Sequence, residues 1–211
     1  MRVFLLIFLF AVAVGTQALA QQTDFQIWAG VKVSHKFSKK VSASFRQDVR
    51  TAYNSQLVNK VFSQAKITYK VIKPLKVSAG YRHNFMFNEN TIAPVKRLFA
   101  DIVYAKKIKK FKPSVRLRYQ RQWDFESYSN TFRIRLKTNI NLPKTKVNAF
   151  VSGEVFKTVF KPMDKFRYTF GLDRSLNKKI EAKVFYRFQK EINQSNVEKV
   201  NVLGLGVSFK I

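Results

Sequence analysis

From Phe25 to the last residue, apolar and polar side chains alternate one by one, in run after run, and a helical period is almost absent. The stretch RIRLKTNINL (residues 133–142) shows the pattern clearly. Arg133, Arg135 and Lys137 take one parity, and Ile134, Leu136, Ile140 and Leu142 take the other. Successive side chains of a strand point to opposite faces, so this segment carries an aliphatic face and a cationic face.

Eleven such runs follow one another: 25–37, 41–53, 61–71, 75–87, 95–104, 111–123, 133–142, 147–156, 166–172, 180–188 and 203–211. The eighth is the least regular, because Phe150 and Phe156 fall among its polar positions. Many runs are about ten residues long, which suits a tilted membrane strand better than the shorter strands of soluble sheets. Lys-bearing connections (SKK 38–40, IKP 72–74, KKIKK 106–110, LPKT 142–145, SLNK 175–178) alternate with longer polar ones near 54–59, 88–94, 124–130, 157–164 and 191–197. Short turns on one rim and longer loops on the other are the habit of outer-membrane barrels. Bacterial single-chain barrels have even strand numbers, so an odd count makes the first run the weakest assignment. The expected fold is an all-β, antiparallel, up-and-down transmembrane barrel of ten to twelve strands. A soluble β-sandwich or soluble barrel is the competing reading, since its strands alternate too.

The chain opens with MRVFLLIFLFAVAVGTQALA, which has a basic start, a short apolar run and a small-residue cleavage site. This is the form of a secretory signal peptide, so residues 1–20 are expected to be removed and residues 21–211 to form one barrel domain. Export explains why a net charge of +28, from 40 basic and 12 acidic residues, need not mean nucleic-acid binding. The chain has no cysteine and two histidines, and no HExxH-type spacing. Disulfides, thiolate metal sites and a zinc centre are not expected, and no cofactor is implied.

Apolar rows directed at lipid leave the opposite rows for the interior. The lumen candidates for holding anions are Arg46, Arg50, Arg82, Arg97, Arg116, Arg118, Arg133, Arg135, Arg167 and Arg187. The counter-charges on these rows are chiefly Asp48, Asp101, Glu154, Asp173 and Glu181. Aromatics near the ends of the apolar rows read as interface girdles: Tyr53, Tyr69, Phe85, Tyr104, Trp123, Tyr168 and Phe188. Two readings of the cationic interior compete. In one, arginines brace a narrow barrel through hydrogen bonds. In the other, rings of Arg and Lys form a narrow anion-selective pore or an anion-binding barrel. A second asymmetry lies at the rims: Lys39, Lys40, Lys73, Lys106, Lys107, Lys109, Lys110, Lys144 and Lys178 sit at the short turns, while Glu89, Asp124, Glu126, Asp164 and Glu191 sit in the longer loops.

With the runs laid out, the chain resembles the domain-of-unknown-function 2490 family of predicted outer-membrane proteins typical of Bacteroidota. The similar stretches are WAGVKVSHKFSKKVSASFRQDVR (28–50), GYRHN (80–84), the strand with Arg97, Asp101 and Tyr104, RLRYQ (116–120), RYTFGLD (167–173) and FYRFQ (185–189). The resemblance implies a barrel and no known activity, so it transfers no functional residues. The chain end also resembles the C-terminal signal read by barrel-insertion machinery, although it ends in Ile211 with its aromatic at Phe209.

Two further function classes fit the sequence. One is a lipid-active enzyme on the barrel wall, for which register across IKP would place Ser63 opposite His83; no third, orienting group and no GxSxG context accompany them. The other is a soluble periplasmic β-protein that binds anionic lipids or polymers. The expected partners are outer-membrane lipids, the insertion machinery during assembly and small anions. The expected state is a monomer in the bacterial outer membrane, with no catalytic residue assigned.

Overall fold

The computed structural model describes residues 23–88, 91–124, 127–143, 145–160, 163–192 and 199–211. The expected signal peptide and Glu89, Glu126 and Lys144 lie outside the described residues. The described strands are β1 (Thr23–Lys36), β2 (Val41–Ala52), β3 (Leu57–Lys70), β4 (Leu75–Asn88), β5 (Thr91–Ala105), β6 (Phe111–Trp123), β7 (Tyr128–Asn141), β8 (Val147–Thr158), β9 (Met163–Ser175), β10 (Ile180–Glu191) and β11 (Lys199–Lys210). Consecutive strands pair antiparallel, and β1 closes on β11 to complete a barrel.

That closing pair is parallel, running from Thr23↔Lys199 to Ser34↔Lys210. In a chain of successive hairpins the first and eleventh strands must point the same way, so an odd count forces a parallel seam. The first run, the weakest assignment from the sequence, is therefore a full strand. Its far end is held by the Ile211 amide, which donates to the Ser34 carbonyl at 3.0 Å.

Side-chain caps hold several hairpin turns. The Ser38 hydroxyl accepts the amides of Lys40 (3.2 Å) and Val41 (3.0 Å). Asn177 Oδ1 accepts those of Lys179 (2.8 Å) and Ile180 (2.7 Å). Such local bonds are the reason Ser and Asn favour turns. At the other rim, Tyr53, Asn54 and Ser55 take left-handed φ values of 53°, 54° and 68°. The turns after β1, β3, β5, β7 and β9 form the rim read as the short-turn one, yet the connections at the opposite rim are not longer on average, so the expected difference in loop length is not present. β3 already begins at Leu57, β4 reaches Asn88 and β5 starts at Thr91, so the strands extend into segments read as loops. Strand ends carry polar residues on both faces, and alternation stops marking them there.

Exposure is inverted relative to a soluble protein. Outward Ile67, Leu136 and Phe170 are 62%, 59% and 58% exposed, whereas inward Arg133 and Glu154 are 8% and 6% exposed. A continuous apolar outer wall of this kind belongs in hydrocarbon, since monomers in water rarely expose apolar patches beyond a few hundred Å². The hydrophobic core lies inside the barrel, where Trp28, Phe150, Phe185, Val200 and Val202 cluster. Glycine makes room for two inward rings: Phe185 lies against Gly204 and Phe99 against Gly80, each pair being in direct register.

Candidate functional site

The inward rows form a cationic lumen in which a few carboxylates each serve nearby arginines. Asp101 on β5 takes a bidentate pair of bonds from Arg118 on β6, at 2.6 and 2.8 Å. Asp48 binds Arg46 two residues earlier on β2. Glu154 on β8 is a hub for Arg116, Arg133 (2.9 Å) and Arg167 (3.4 Å), which come from β6, β7 and β9. Inward glutamines extend the network. Gln64 accepts from Arg82 (2.6 Å), Gln122 from Arg97 (3.1 Å) and Gln189 from Arg167 (2.6 Å). Arg187 donates to Thr169 Oγ1 at 2.9 Å. All ten arginines proposed from the sequence lie on the inward rows, on strands from β2 to β10.

A second set of contacts was not legible as a site. Cations stack on aromatic rings that share the polar parity. Arg50 lies 3.6 Å from the Trp28 centroid and Arg82 lies 3.8 Å from Phe62. Arg118 lies 4.0 Å from Phe99, and Arg133 lies 4.3 Å from Phe156. Lys137 and Lys183 lie 4.3 and 4.1 Å from Phe150. Desolvated cation–π contacts of this type are worth up to about 2 kcal/mol each. Together with buried Asp101, Arg118, Arg133 and Glu154 they fill the middle of the barrel. The irregular placing of Phe150 and Phe156 in the eighth run was the available signal.

Cations still outnumber acceptors. Among the described residues, no carboxylate lies within 4 Å of the charged nitrogens of Arg50, Arg135, Lys60, Lys66, Lys137 or Lys183. The Nε atoms of Arg50 and Arg135 are buried without a hydrogen-bond partner. Toward the short-turn mouth the filling opens into two cavities, one of about 520 Å³ on the β1–β4 wall and one of about 340 Å³ on the β6–β9 wall. Among the described residues no cluster of His, Cys, Asp and Glu could hold a metal ion.

A family described as a protein of unknown function, DUF2490, matches residues 25–201. The chain belongs to the DUF2490 family. No curated protein matches it. Among solved structures, this DUF2490 barrel is similar to the NanC porin, with a TM-score of 0.56 at 16% identity over 89% of this chain and 99% of that one. It is also similar to outer-membrane expressed OmpT of Vibrio cholerae (TM-score 0.41, 9% identity, 72% of this chain and 54% of that one). A third similar structure is the translocator domain of the autotransporter NalP from Neisseria meningitidis (TM-score 0.44, 8% identity, 78% and 72%). Likeness to the NanC porin at this identity concerns the fold.

On the outer wall of the DUF2490 barrel, Ser63 and His83 are indeed register partners. The Ser63 hydroxyl donates to Gln47 Oε1 at 2.5 Å rather than to His83, whose Nδ1 is 3.3 Å from the Tyr81 hydroxyl. Mutual pairing of Ser63 and Gln47 satisfies two polar groups on a lipid-facing wall, where each unpaired group would cost several kcal/mol. The girdle aromatics Tyr69, Phe85, Tyr104 and Tyr168 are exposed on the outer wall, and Tyr53 stands exposed at a turn. Trp123 and Phe188 are half-buried near the opposite rim from the short turns. His35 is exposed, with Nδ1 2.9 Å from the Ile211 carbonyl.

Proposed function

We propose that this DUF2490 protein is an outer-membrane barrel that takes small anions into its lumen and passes them slowly along a cationic path. The observation that carries this reading is the surplus of inward cations with no carboxylate partner among the described residues, including Arg50, Arg135, Lys137 and Lys183. Unpaired charges in a confined, low-dielectric space attract counter-ions strongly, and Arg and Lys rings favour anions. The tight Arg–aromatic filling favours a narrow path with low current. Export by a cleaved signal peptide, insertion by the barrel machinery and a monomeric state belong to the same proposal.

The test is a planar-bilayer recording of the refolded chain under a salt gradient. The expected result is a small current whose reversal potential shifts toward the anion value. A cation preference, or no current together with no anion-dependent stabilisation against denaturant, would overturn the proposal. The Glu154 hub and the cation–π stacks support a second reading, in which the cations only brace the wall. It predicts that last outcome.

A further inference from the structure

The cavity on the β1–β4 wall of the short-turn mouth is lined by Lys36, Lys39, Lys40, Lys70 and Lys76, with Ser42 and Thr68, and among the described residues no carboxylate lines it. Lys70 and Lys76 are direct cross-strand partners. Like charges placed opposite each other on neighbouring strands repel, and among the described residues neither has a carboxylate within 4 Å. Lys40 is held in place by its own backbone: its amide bonds Ser38 Oγ, and its carbonyl accepts the Lys70 amide at 2.8 Å. The turn lysines are thereby tied beside the strand lysines. Elsewhere in the lumen, by contrast, Asp48, Asp101 and Glu154 stand against guanidinium groups. The other mouth cavity also has its own acid, Asp173, among Lys107, Lys110 and Lys112.

We infer that the β1–β4 wall of the short-turn mouth is a binding site for a small anion carrying two or more phosphoryl groups. The inference rests on the proposed reading of the lumen as an anion-accepting compartment. Five ammonium groups with no lining acid among the described residues call for several negative charges, more than one halide or one monocarboxylate brings. Ammonium groups are compact point charges that suit phosphate oxygens approached from several directions. A volume of about 520 Å³ lies within the range of small-ligand sites. Ser42 adds a neutral hydroxyl-bearing residue on the same wall, while the Thr68 hydroxyl there is paired with that of Ser78 at 2.9 Å.

The test is titration calorimetry of tripolyphosphate into the refolded chain in zwitterionic detergent. Binding is expected to weaken at least tenfold in Lys70→Gln/Lys76→Gln and in Lys39→Gln/Lys40→Gln, and less than twofold in Lys107→Gln/Lys110→Gln on the other wall. Equal weakening in all three, or no binding by the unaltered chain, would overturn the site and leave only diffuse charge. A second arm repeats the titration in phosphatidylcholine vesicles with and without phosphatidylinositol bisphosphate, whose headgroup carries more than one phosphoryl group. Loss of binding with that lipid identifies a phosphorylated lipid headgroup as the occupant, and retention identifies a soluble phosphorylated compound; both support phosphoryl recognition. The two readings also fail separately. Lysine-dependent tripolyphosphate binding without anion current rejects the pore and keeps the site, whereas anion current without such binding rejects the site alone.

Discussion

The ring of Phe185 lies so close over Gly204, its register partner, that a β-carbon on the glycine would stand 2.0 Å from Cζ. No rotamer adjustment of a few tenths of an ångström absorbs that overlap, and the ring is walled in by Trp28, Phe150 and Val202. Gly204→Ala is therefore expected to destabilise the refolded barrel by about 1–3 kcal/mol, the usual cost of overpacking. Urea unfolding in micelles measures it. Adding Phe185→Leu should recover part of the loss, and an additive double variant would show that the contact does not limit packing.

Glu154 offers a sharper contrast between buried and exposed charge. Its carboxylate is 6% exposed and is shared by Arg116, Arg133 and Arg167. Glu154→Gln leaves three confined guanidinium groups without a carboxylate. Breaking a buried ion pair by removing one partner costs about 3–5 kcal/mol. Glu181 meets Lys210 at 3.6 Å, with Lys210 exposed and Glu181 only half-buried, so Glu181→Gln should cost less than about 1 kcal/mol. Denaturant midpoints of the two variants, measured side by side, check the ordering.

Much of this fold was legible because alternation reports which face each residue serves. Register followed from it as well: Ser63 stands opposite His83, and Arg133 and Arg135 point inward with Ile134 outward. Alternation is blind to aromatics that face inward. Trp28, Phe62 and Phe99 share parity with polar residues, and their role depends on cations arriving from other strands. The seam was equally hidden, since pairing Thr23 with Lys199 joins opposite ends of the chain and no local pattern encodes it. Loop lengths were misread because polar strand ends and loops have the same composition.

Ile134 tests which way the faces point. It is 51% exposed at the middle of β7 and is flanked in register by Leu117 and Val155. Ile134→Arg places a charge at hydrocarbon depth, at a cost of about 2–4 kcal/mol near the midplane of a barrel wall. Folding yield and unfolding in lipid vesicles should both fall. The same change on a water-soluble barrel would be neutral or favourable, so an unchanged stability would contradict the membrane assignment.

Lys137 and Lys183 lie 4.3 and 4.1 Å from the Phe150 ring, brought there from β7 and β10. Neither has a carboxylate within 4 Å among the described residues. If the lumen passes anions, these ammonium groups lie on the path and supply part of its selectivity. Lys137→Gln/Lys183→Gln is expected to move the reversal potential toward zero in a salt gradient, while Lys137→Arg/Lys183→Arg should keep the anion preference because charge and stacking both persist. Phe150→Leu separates the two contributions: it removes the ring that positions the lysines but keeps both charges, so stability should drop while the sign of selectivity stays the same. A reversal potential unaffected by the loss of both lysines would place the anion path elsewhere in the barrel.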